Sequence, residues 1–266
     1  MGERLDRERV LRELETARLG RTLICLEEVD STFRAMREAA TQDAPHGTVV
    51  LAEKQTAGRG RFDRRWESPF GLGLCFNVLL KPSLPPAQAA RLNLAAAVGL
   101  CRGLQAMGLE AGIKWPNDLI ISGKKVCGML SELKIAEGKI QWISLGIGLN
   151  VLQAEEDFPP ELRDKAASLQ MLTDKEITRE GVLCAVLKGL EESCLLAETD
   201  FERLLTQYRG LSVTLGREVI CSGGADVRGI AEDINADGAL LVRGADGKCH
   251  TLEAGDVSVR GVMGYV

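Results

Sequence analysis

Four arginines lie within residues 59–65, and the first two alternate with glycines in the sequence Gly58-Arg59-Gly60-Arg61. Glycine lets the backbone adopt positive φ and brings its N–H groups close to an anion, and a guanidinium group can bind two phosphate oxygens at once. The residue types and their spacing therefore predict a phosphate-handling loop. A short charged run can equally be a solvated surface turn, so this segment alone leaves both interpretations open.

A second segment favours the phosphate interpretation. It contains Lys114-Trp115-Pro116-Asn117-Asp118 and, after a Ser122-Gly123 turn, Lys124-Lys125-Val126-Cys127-Gly128. Chance does not easily place both segments in one chain. Successive side chains of a strand point to opposite faces, so only one of the two adjacent lysines can reach a ligand.

The composition is that of an ordinary soluble globular protein. Hydrophobic residues make up 45% and charged residues 27% of the 266 residues. The formal net charge of −5 disfavours nucleic acid and anionic membranes as partners. No apolar run reaches the roughly 20 residues that span a bilayer, and the first residues lack the apolar stretch of a signal peptide. We therefore expect a cytoplasmic protein.

Cysteine and histidine usage argues against metal and histidine chemistry. The eight cysteines include no Cys-x-x-Cys pair and mostly lie in apolar stretches, which is typical of small buried side chains in a reducing compartment. The two histidines, His46 and His250, lie in a predicted turn and a predicted hairpin. We predict neither a structural zinc site nor a histidine-dependent triad.

Hydrophobic periodicity predicts an α+β chain with two domains. Predicted helices cover about 4–19, 33–39, 85–107, 176–196 and 200–208, and predicted strands cover 21–27, 48–53, 73–80, 112–115, 119–121, 125–134 and 139–151. From Ser212 onward, short predicted strands, the first at Val213–Leu215, are separated by Gly-containing turns and indicate a small all-β barrel. We place the domains at residues 1–209 and 210–266.

The motifs and their order resemble those of biotin protein ligases from about Gly20 to Arg260. They are Asp30-Ser31-Thr32, the segment Gln55–Arg61 with Trp66, Lys114–Asp118, Lys125–Gly128, Gly146-Ile147-Gly148-Leu149-Asn150 and Gly255–Arg260. The resemblance implies a mixed sheet flanked by helices, similar to class II tRNA synthetases, followed by an SH3-like barrel. It also implies a two-step reaction with ATP, biotin and Mg²⁺, in which a lysine of a biotin carboxyl carrier protein accepts biotin from biotinyl-5′-adenylate.

The chemistry that the resemblance implies fits these residue types. A carboxylate is already a nucleophile, so its attack on the α-phosphate of ATP needs no histidine base. The attack does need cations that neutralise an anion approaching a polyanion. Arg59, Arg61, Arg64 and Lys125 can supply them.

Site residues are carried over from the family by position. The catalytic set is Lys125, Arg59, Arg61 and Asp118; the biotin set is Ser31, Thr32, Phe33, Gln55, Arg59, Gly60, Arg61, Lys125, Gly128 and Gly148; the nucleotide set is Arg59, Arg61, Arg64, Trp66, Asn117, Lys125, Asn150 and Arg260. Lys125 is preferred over Lys124 because it has the family's spacing to Gly128, and Lys124 is expected to face solvent. Ser31 can also be a plain helix cap and Asp118 a plain turn residue.

Two positions depart from the family pattern. Phe33 follows Ser-Thr where the family usually has asparagine, so that hydrogen bond is lost or replaced. Asp63 lies in the segment Gly58–Trp66, which we call the arginine loop, at a position where glycine is common in the family. Its carboxylate would oppose phosphate binding unless Arg64 or Arg65 pairs with it.

Three other functions fit parts of this pattern. A biotin sensor or scaffold without catalysis would require the loss of Lys125 or of the arginine loop, and both are present. Some family members are also repressors with an N-terminal winged helix-turn-helix, and only about 20 residues precede the first predicted strand here, so we expect no nucleic-acid partner. A lipoate ligase shares the fold and the adenylate, but its Arg-Arg-x-x-Gly-Gly-Gly signature is absent. The sequence leaves open whether the chain is a monomer or a homodimer.

Overall fold

A seven-stranded mixed sheet organises the larger part of the chain. The computed structural model describes residues 2–67, 69–223, 226–254 and 257–261. The strands are β1 (Leu23–Val29), β2 (Val49–Gln55), β3 (Gly73–Leu80), β4 (Gly112–Lys114), β5 (Asp118–Ile121), β6 (Lys124–Ala136) and β7 (Lys139–Asn150). Their spatial order is β1-β2-β3-β7-β6-β5-β4. Only the β1–β2 pair is parallel among these ladders, because α2 forms the crossover between those two strands.

In the described part of the chain, five α-helices flank the sheet, and they divide between its two faces. They are α1 (Arg7–Glu13), α2 (Thr32–Thr41), α3 (Ala90–Ala106), α4 (Arg179–Thr199) and α5 (Phe201–Leu211). Side chains of α3, α4 and α5 share the main core with Leu74, Phe76 and Val78 of β3. On the opposite face, Met36 of α2 packs with Val50 and Leu79. Alternate residues of β3 therefore face different layers.

A second sheet follows α5 and confirms the predicted small all-β unit. Its antiparallel strands are β8 (Glu218–Gly223), β9 (Val227–Ile234), β10 (Leu240–Gly244), β11 (Cys249–Leu252) and β12 (Val257–Gly261), in the order β11-β10-β9-β8-β12. Arg209 of α5 binds Asp233 of β9 through two hydrogen bonds of 2.6 and 3.0 Å. The boundary placed at residues 209 and 210 remains a prediction.

Two predicted elements are shorter or absent. The predicted helix over 4–19 is α1 alone, because the chain extends at Leu14 and Thr16 turns back to donate a hydrogen bond to the carbonyl of Leu19. The strand predicted at 213–215 does not form. Instead, the hydroxyl of Ser212 accepts hydrogen bonds from the N–H groups of Thr214 and Leu215, which turns the chain.

Cysteine burial follows the sequence prediction at five of the eight positions. Cys75, Cys101, Cys127, Cys194 and Cys221 are buried, Cys25 and Cys184 are half-buried, and Cys249 is exposed. Burial raises the pKa of Cys101 to about 12, so its thiol stays protonated at neutral pH. In the part of the chain that the structure describes, no helix is both long and apolar enough to cross a bilayer.

Candidate active site

The α2 side of the sheet carries three glycines where neighbouring strands meet. Gly128 of β6 pairs directly with Gly148 of β7, and Gly146 lies two residues before Gly148 on β7. We call these three residues the glycine floor. Since glycine has no side chain, the sheet surface is recessed here, which leaves room for a ligand or for large side chains.

Two aromatic side chains cover the glycine floor in the ligand-free chain. A Cβ atom built on Gly148 would lie 2.4 Å from Cε2 of Trp66, and one built on Gly146 would lie 2.4 Å from Cζ of Phe33. Trp66 comes from the arginine loop and Phe33 from α2. The floor is therefore shared between a side chain on a helix and one on a loop.

Lys125 and Asp118 lie beside the glycine floor as an ion pair. The β5–β6 hairpin places Asp118 opposite Gly128, and Lys125 Nζ lies 2.5 Å from Asp118 Oδ1. The same ammonium group lies 5.7 Å from the ring centroid of Trp66. The backbone of Lys125 is fixed on its other side by hydrogen bonds with Lys165 and Ala167. A fixed cation thus borders the recessed surface.

Lys124 has a different partner. Its Nζ donates a 2.9 Å hydrogen bond to the carbonyl oxygen of Arg163, and its side chain is half-buried. The expectation that Lys124 faces bulk solvent is therefore wrong, because the segment after β7 folds back over the end of the hairpin. Both lysines do point to different partners, as strand alternation predicts.

The arginine loop forms a narrow hairpin of its own. The N–H of Gly60 donates to the carbonyl of Arg64 at 2.8 Å, and the N–H of Trp66 donates to the carbonyl of Gly58 at 3.0 Å. Phe62 at the tip has φ of 55° and a half-exposed side chain. This hairpin carries Trp66 onto the glycine floor.

Arg61 connects the loop with the Lys125–Asp118 pair and with the second sheet. Its guanidinium donates to Asn117 Oδ1 at 3.3 Å and to the carbonyl oxygen of Ala254. Burial lowers the pKa of Arg61, and the nearby Asp118 carboxylate partly opposes that change. Arginine remains protonated at neutral pH in spite of burial. The site therefore contains two adjacent cations and one carboxylate.

Arg59 is held away from the Lys125–Asp118 pair. Its Nη2 lies 3.2 Å from Glu132 Oε1, and Arg37 approaches the other oxygen of Glu132 at 3.8 Å. The side chain of Arg59 is half-exposed. Arg64 is exposed as well, and its backbone closes the hairpin with Gly60. The side chains of Asp63 and Arg260 lie outside the described residues.

A polar cluster joins the start of α2 to the end of β2. The N–H and the hydroxyl of Thr32 both donate to Gln55 Oε1, at 2.9 and 3.0 Å. Ser31 caps α2 by accepting a hydrogen bond from the N–H of Phe33. Ser31, Thr32 and Gln55 are thus brought together next to Phe33, whose ring covers Gly146.

Comparison with known proteins places this geometry in a family. Residues 26–150 match the model of the biotin/lipoate A/B protein ligase family, and residues 214–260 match the biotin protein ligase C-terminal domain. The biotin--[acetyl-CoA-carboxylase] ligase of Mycobacterium tuberculosis is 34% identical over 218 residues, which cover 79% of this chain and 78% of that protein. The chain belongs to the biotin protein ligases.

Two further comparisons agree with this membership. The bifunctional ligase/repressor BirA of Bacillus subtilis is 41% identical over 180 residues, which cover 67% of this chain. The chain spans only 55% of the length of that relative. The solved structure of the Aquifex aeolicus biotin protein ligase, a complex with biotin and ATP, superimposes with a TM-score of 0.76 at 30% identity, over 90% of this chain and 99% of that one.

For a biotin protein ligase, the two asparagines of the nucleotide set are already engaged. Asn117 donates to the carbonyl of Met129 at 2.7 Å and accepts from Arg61. Asn150 donates to the carbonyl of Ala167 at 3.3 Å and accepts from Gln153 at 3.3 Å. Both lie at strand ends that border the glycine floor, so a nucleotide contact would require these bonds to be shared or exchanged.

The structure also identifies residues that the sequence reasoning missed. Glu132 lies on β6 and binds Arg59, and Asn77 lies on β3 beside Gly146. Neither residue belongs to a motif, and each becomes visible only through cross-strand register. Strand alternation in β3, with Cys75 and Asn77 on the face opposite the main core, was the one available signal.

The resemblance to biotin protein ligases implies Mg²⁺, and the side chains that could bind this ion indicate how it would be held. Among the described residues, no group of three or more His, Cys, Asp or Glu side chains is placed to bind a metal ion. The carboxylate of Asp118 is already paired with Lys125. Mg²⁺ commonly binds through phosphates with few protein ligands, so these residues would fit an ion that arrives bound to a nucleotide.

An open cavity elsewhere does not compete with this site. A cavity of about 480 Å³ lies at the junction of the two sheets and is lined by residues such as Gln105, Ile120, Ser212 and Arg217. Neither the Lys125–Asp118 pair nor the arginine loop lines it. The Lys125–Asp118 pair lies beside the glycine floor instead, which Trp66 and Phe33 cover in the ligand-free chain.

Proposed function

We propose that this chain is an ATP-dependent biotin protein ligase. It activates biotin to biotinyl-5′-adenylate and transfers the biotinyl group to a lysine of a biotin carboxyl carrier protein. The observation that carries the proposal is the placement of Lys125, with Asp118 and Arg61 beside it, at the edge of the glycine floor. A recessed surface bordered by fixed cations suits a small carboxylate next to a nucleotide.

In the first step, a carboxylate oxygen of biotin attacks the α-phosphorus of ATP, and the bond to pyrophosphate breaks. We assign to Lys125 a contact with both the carboxylate and the α-phosphate, and to Arg61 a contact with the phosphates from the loop. Their charges offset the negative charge that gathers as the two anions meet. A Mg²⁺ ion that arrives with the nucleotide would supply further positive charge.

In the second step, a carrier lysine attacks the carbonyl carbon of the mixed anhydride, and AMP leaves. The lysine ammonium must lose one proton to become a nucleophile, and its nitrogen loses a second proton as the amide bond forms. Asp118 is the carboxylate within reach of the Lys125 ammonium, 2.5 Å away. We assign to it the role of positioning Lys125 and of accepting a proton from the incoming amine.

The polar cluster next to Phe33 suits the polar ring of biotin. Ser31, Thr32 and Gln55 converge there from α2 and β2. Their hydroxyl and amide groups can exchange their mutual hydrogen bonds for bonds to a ligand. In the ligand-free chain these bonds hold the cluster together, so the helix cap and the ligand contact are successive roles of the same groups.

Two assays test the proposal. The first measures ATP–pyrophosphate exchange in the presence of either biotin or lipoate, and the second measures transfer of each acid to purified apo carrier proteins. We expect exchange with biotin and transfer to the biotin carrier only. Exchange with lipoate and transfer to a lipoyl carrier would replace this function by the alternative, a lipoate ligase. Exchange with neither acid would reject both.

We also propose that the chain has no sequence-specific DNA partner, although its Bacillus relative is named as a ligase and repressor. The formal net charge is −5, and phosphate binding by basic patches is strongly salt-dependent. A gel-shift assay over a range of salt and biotin concentrations tests this. Salt-tolerant retention of one DNA sequence would contradict it.

A further inference from the structure

Asn77 is a buried polar residue in the middle of an otherwise apolar stretch of β3. Its exposed fraction is 0%. Cross-strand register places it between Val50 of β2 and Gly146 of β7. Directly paired residues of a sheet point to the same face, so Asn77 lies on the face that carries the glycine floor.

One half of the Asn77 amide is fixed and the other half is not. Nδ2 donates a 2.8 Å hydrogen bond to Ser144 Oγ and lies 3.3 Å from the position of a Cβ atom built on Gly146. Oδ1 is buried and has no hydrogen-bond partner among the described residues. An unpaired buried carbonyl oxygen destabilises a fold, so its retention requires an explanation.

We propose that Asn77 is a specificity-determining residue for the polar ring of biotin, with Oδ1 accepting a hydrogen bond from a ring N–H group. This inference rests on the proposed function. The urea ring of biotin carries two N–H donors and one carbonyl acceptor. A ligand ring that enters over the glycine floor beside Gly146 comes next to the Asn77 amide. The bond from Nδ2 to Ser144 holds this amide in place and leaves Oδ1 as its unpaired acceptor among the described residues.

Phe33 makes this contact more important. Its ring lies on Gly146 and cannot accept or donate a conventional hydrogen bond. The amide of Asn77 reaches the same glycine from the neighbouring strand. Asn77 thus provides an amide from the sheet where Phe33 provides only an apolar cover from α2.

The test compares three variants by calorimetric titration with biotin and by steady-state exchange. The first is the double variant Asn77→Leu/Ser144→Ala, which removes both partners of the internal bond and leaves no orphaned hydroxyl. The second is Asn77→Asp, which keeps the shape and the acceptor. The third is the control Tyr208→Phe, which removes another buried unpaired oxygen on α5.

The double variant is expected to fold with an unchanged or higher Tm and to bind biotin about 10- to 100-fold more weakly. Its KM for biotin should rise by the same factor, and its kcat should stay within a few-fold, because the ring contact is remote from the reacting carboxylate. Tyr208→Phe should raise Tm without changing the biotin Kd. A folded double variant with the wild-type Kd overturns the inference.

Ligand preference separates ring recognition from a purely structural role. Protonated 2-iminobiotin carries a guanidinium in place of the urea. Asn77→Asp should shift the ratio of Kd values for biotin and 2-iminobiotin by about 10-fold toward the cation, since charge-assisted hydrogen bonds are stronger. An unchanged ratio overturns the inference. If the wild-type chain binds no biotin, the proposed function fails; if it binds biotin and the variants match it, only the role of Asn77 fails.

Discussion

At the scale of single residues, Lys124 and Lys125 show how neighbouring identical side chains acquire different chemistry. Lys125 pairs with Asp118 beside the glycine floor, whereas Lys124 donates to the carbonyl of Arg163. A cation next to the site of charge development stabilises a transition state, whereas one hydrogen bond to a backbone carbonyl stabilises only the fold.

The first prediction compares Lys125→Ala with Lys124→Ala. We expect Lys125→Ala to lower biotin-dependent ATP–pyrophosphate exchange by about 10²-fold or more. Lys124→Ala should keep near-wild-type exchange and lose about 1 kcal/mol of stability, from its bond to Arg163. Circular dichroism confirms folding of both. If Lys124→Ala is the inactive variant, the assignment of the catalytic face is wrong.

At the scale of elements, the arginine loop and the sheet fit together through the glycine floor. Trp66 lies directly over Gly148, so a side chain at position 148 would clash with it and prevent the loop from taking this position. A ligand that occupies the floor must displace Trp66 or share the surface with it. The same contact therefore links loop position to ligand binding.

The second prediction concerns Gly148→Ala. Its added methyl group would lie 2.4 Å from Trp66, and we expect it to weaken biotin binding about 10-fold or more, since overpacking of a fitted surface costs about 1–3 kcal/mol. Gly210→Ala is the control, because among the described residues no atom outside its chain neighbours and the nearby backbone of α5 lies within 4 Å of its added Cβ. Calorimetry with biotin gives the answer, and equal affinity for both variants would show that the floor is not the binding surface.

The third prediction concerns the arginine loop itself. Glycines and like charges disfavour one compact loop state until anions bind, and Glu132 supplies a substitute counter-charge for Arg59 in the ligand-free chain. We expect biotin with ATP to slow proteolytic cleavage between Gly58 and Trp66. Glu132→Gln should speed cleavage in the ligand-free protein only. Cleavage that is equally fast with and without ligands would refute the ordering of this loop.

At the scale of the whole molecule, contacts between distant segments fix the frame around the site. Glu191 of α4 accepts hydrogen bonds from the N–H groups of Ala17, Arg18 and Leu19, at 2.6, 2.7 and 2.9 Å. These bonds hold the segment before β1 against α4. Burial acts to raise the pKa of Glu191, but the three backbone donors together lower it, so the net pKa lies below its ordinary value.

The fourth prediction follows from this pKa shift. The folded-state pKa of Glu191 is lower than the unfolded one, so its contribution to stability is present above the ordinary carboxyl pKa of about 4.5 and is lost as pH falls through the folded value. Glu191→Gln should be less stable than wild type by about 1 kcal/mol or more at pH 7. The gap should narrow below about pH 4. Thermal melts from pH 7 to pH 3 measure it, and a constant gap would exclude the linkage.

The sequence by itself determined the elements and the motif residues that lie in them. Alternating hydrophobic residues predicted most strands, and turn residues such as Ser122-Gly123 marked the β5–β6 hairpin, because these signals depend on neighbours in the chain. The same motifs led to the biotin protein ligases, which the comparisons confirm.

Only the tertiary structure decided which side chains meet. Trp66 lies on Gly148, Glu132 holds Arg59, and the amide of Asn77 lies beside Gly146. Each contact joins residues far apart in sequence, and each depends on sheet register, where a shift of one residue would turn every side chain to the other face. Local sequence carries no direct record of that register, and for this reason Asn77 and Glu132 were not predicted.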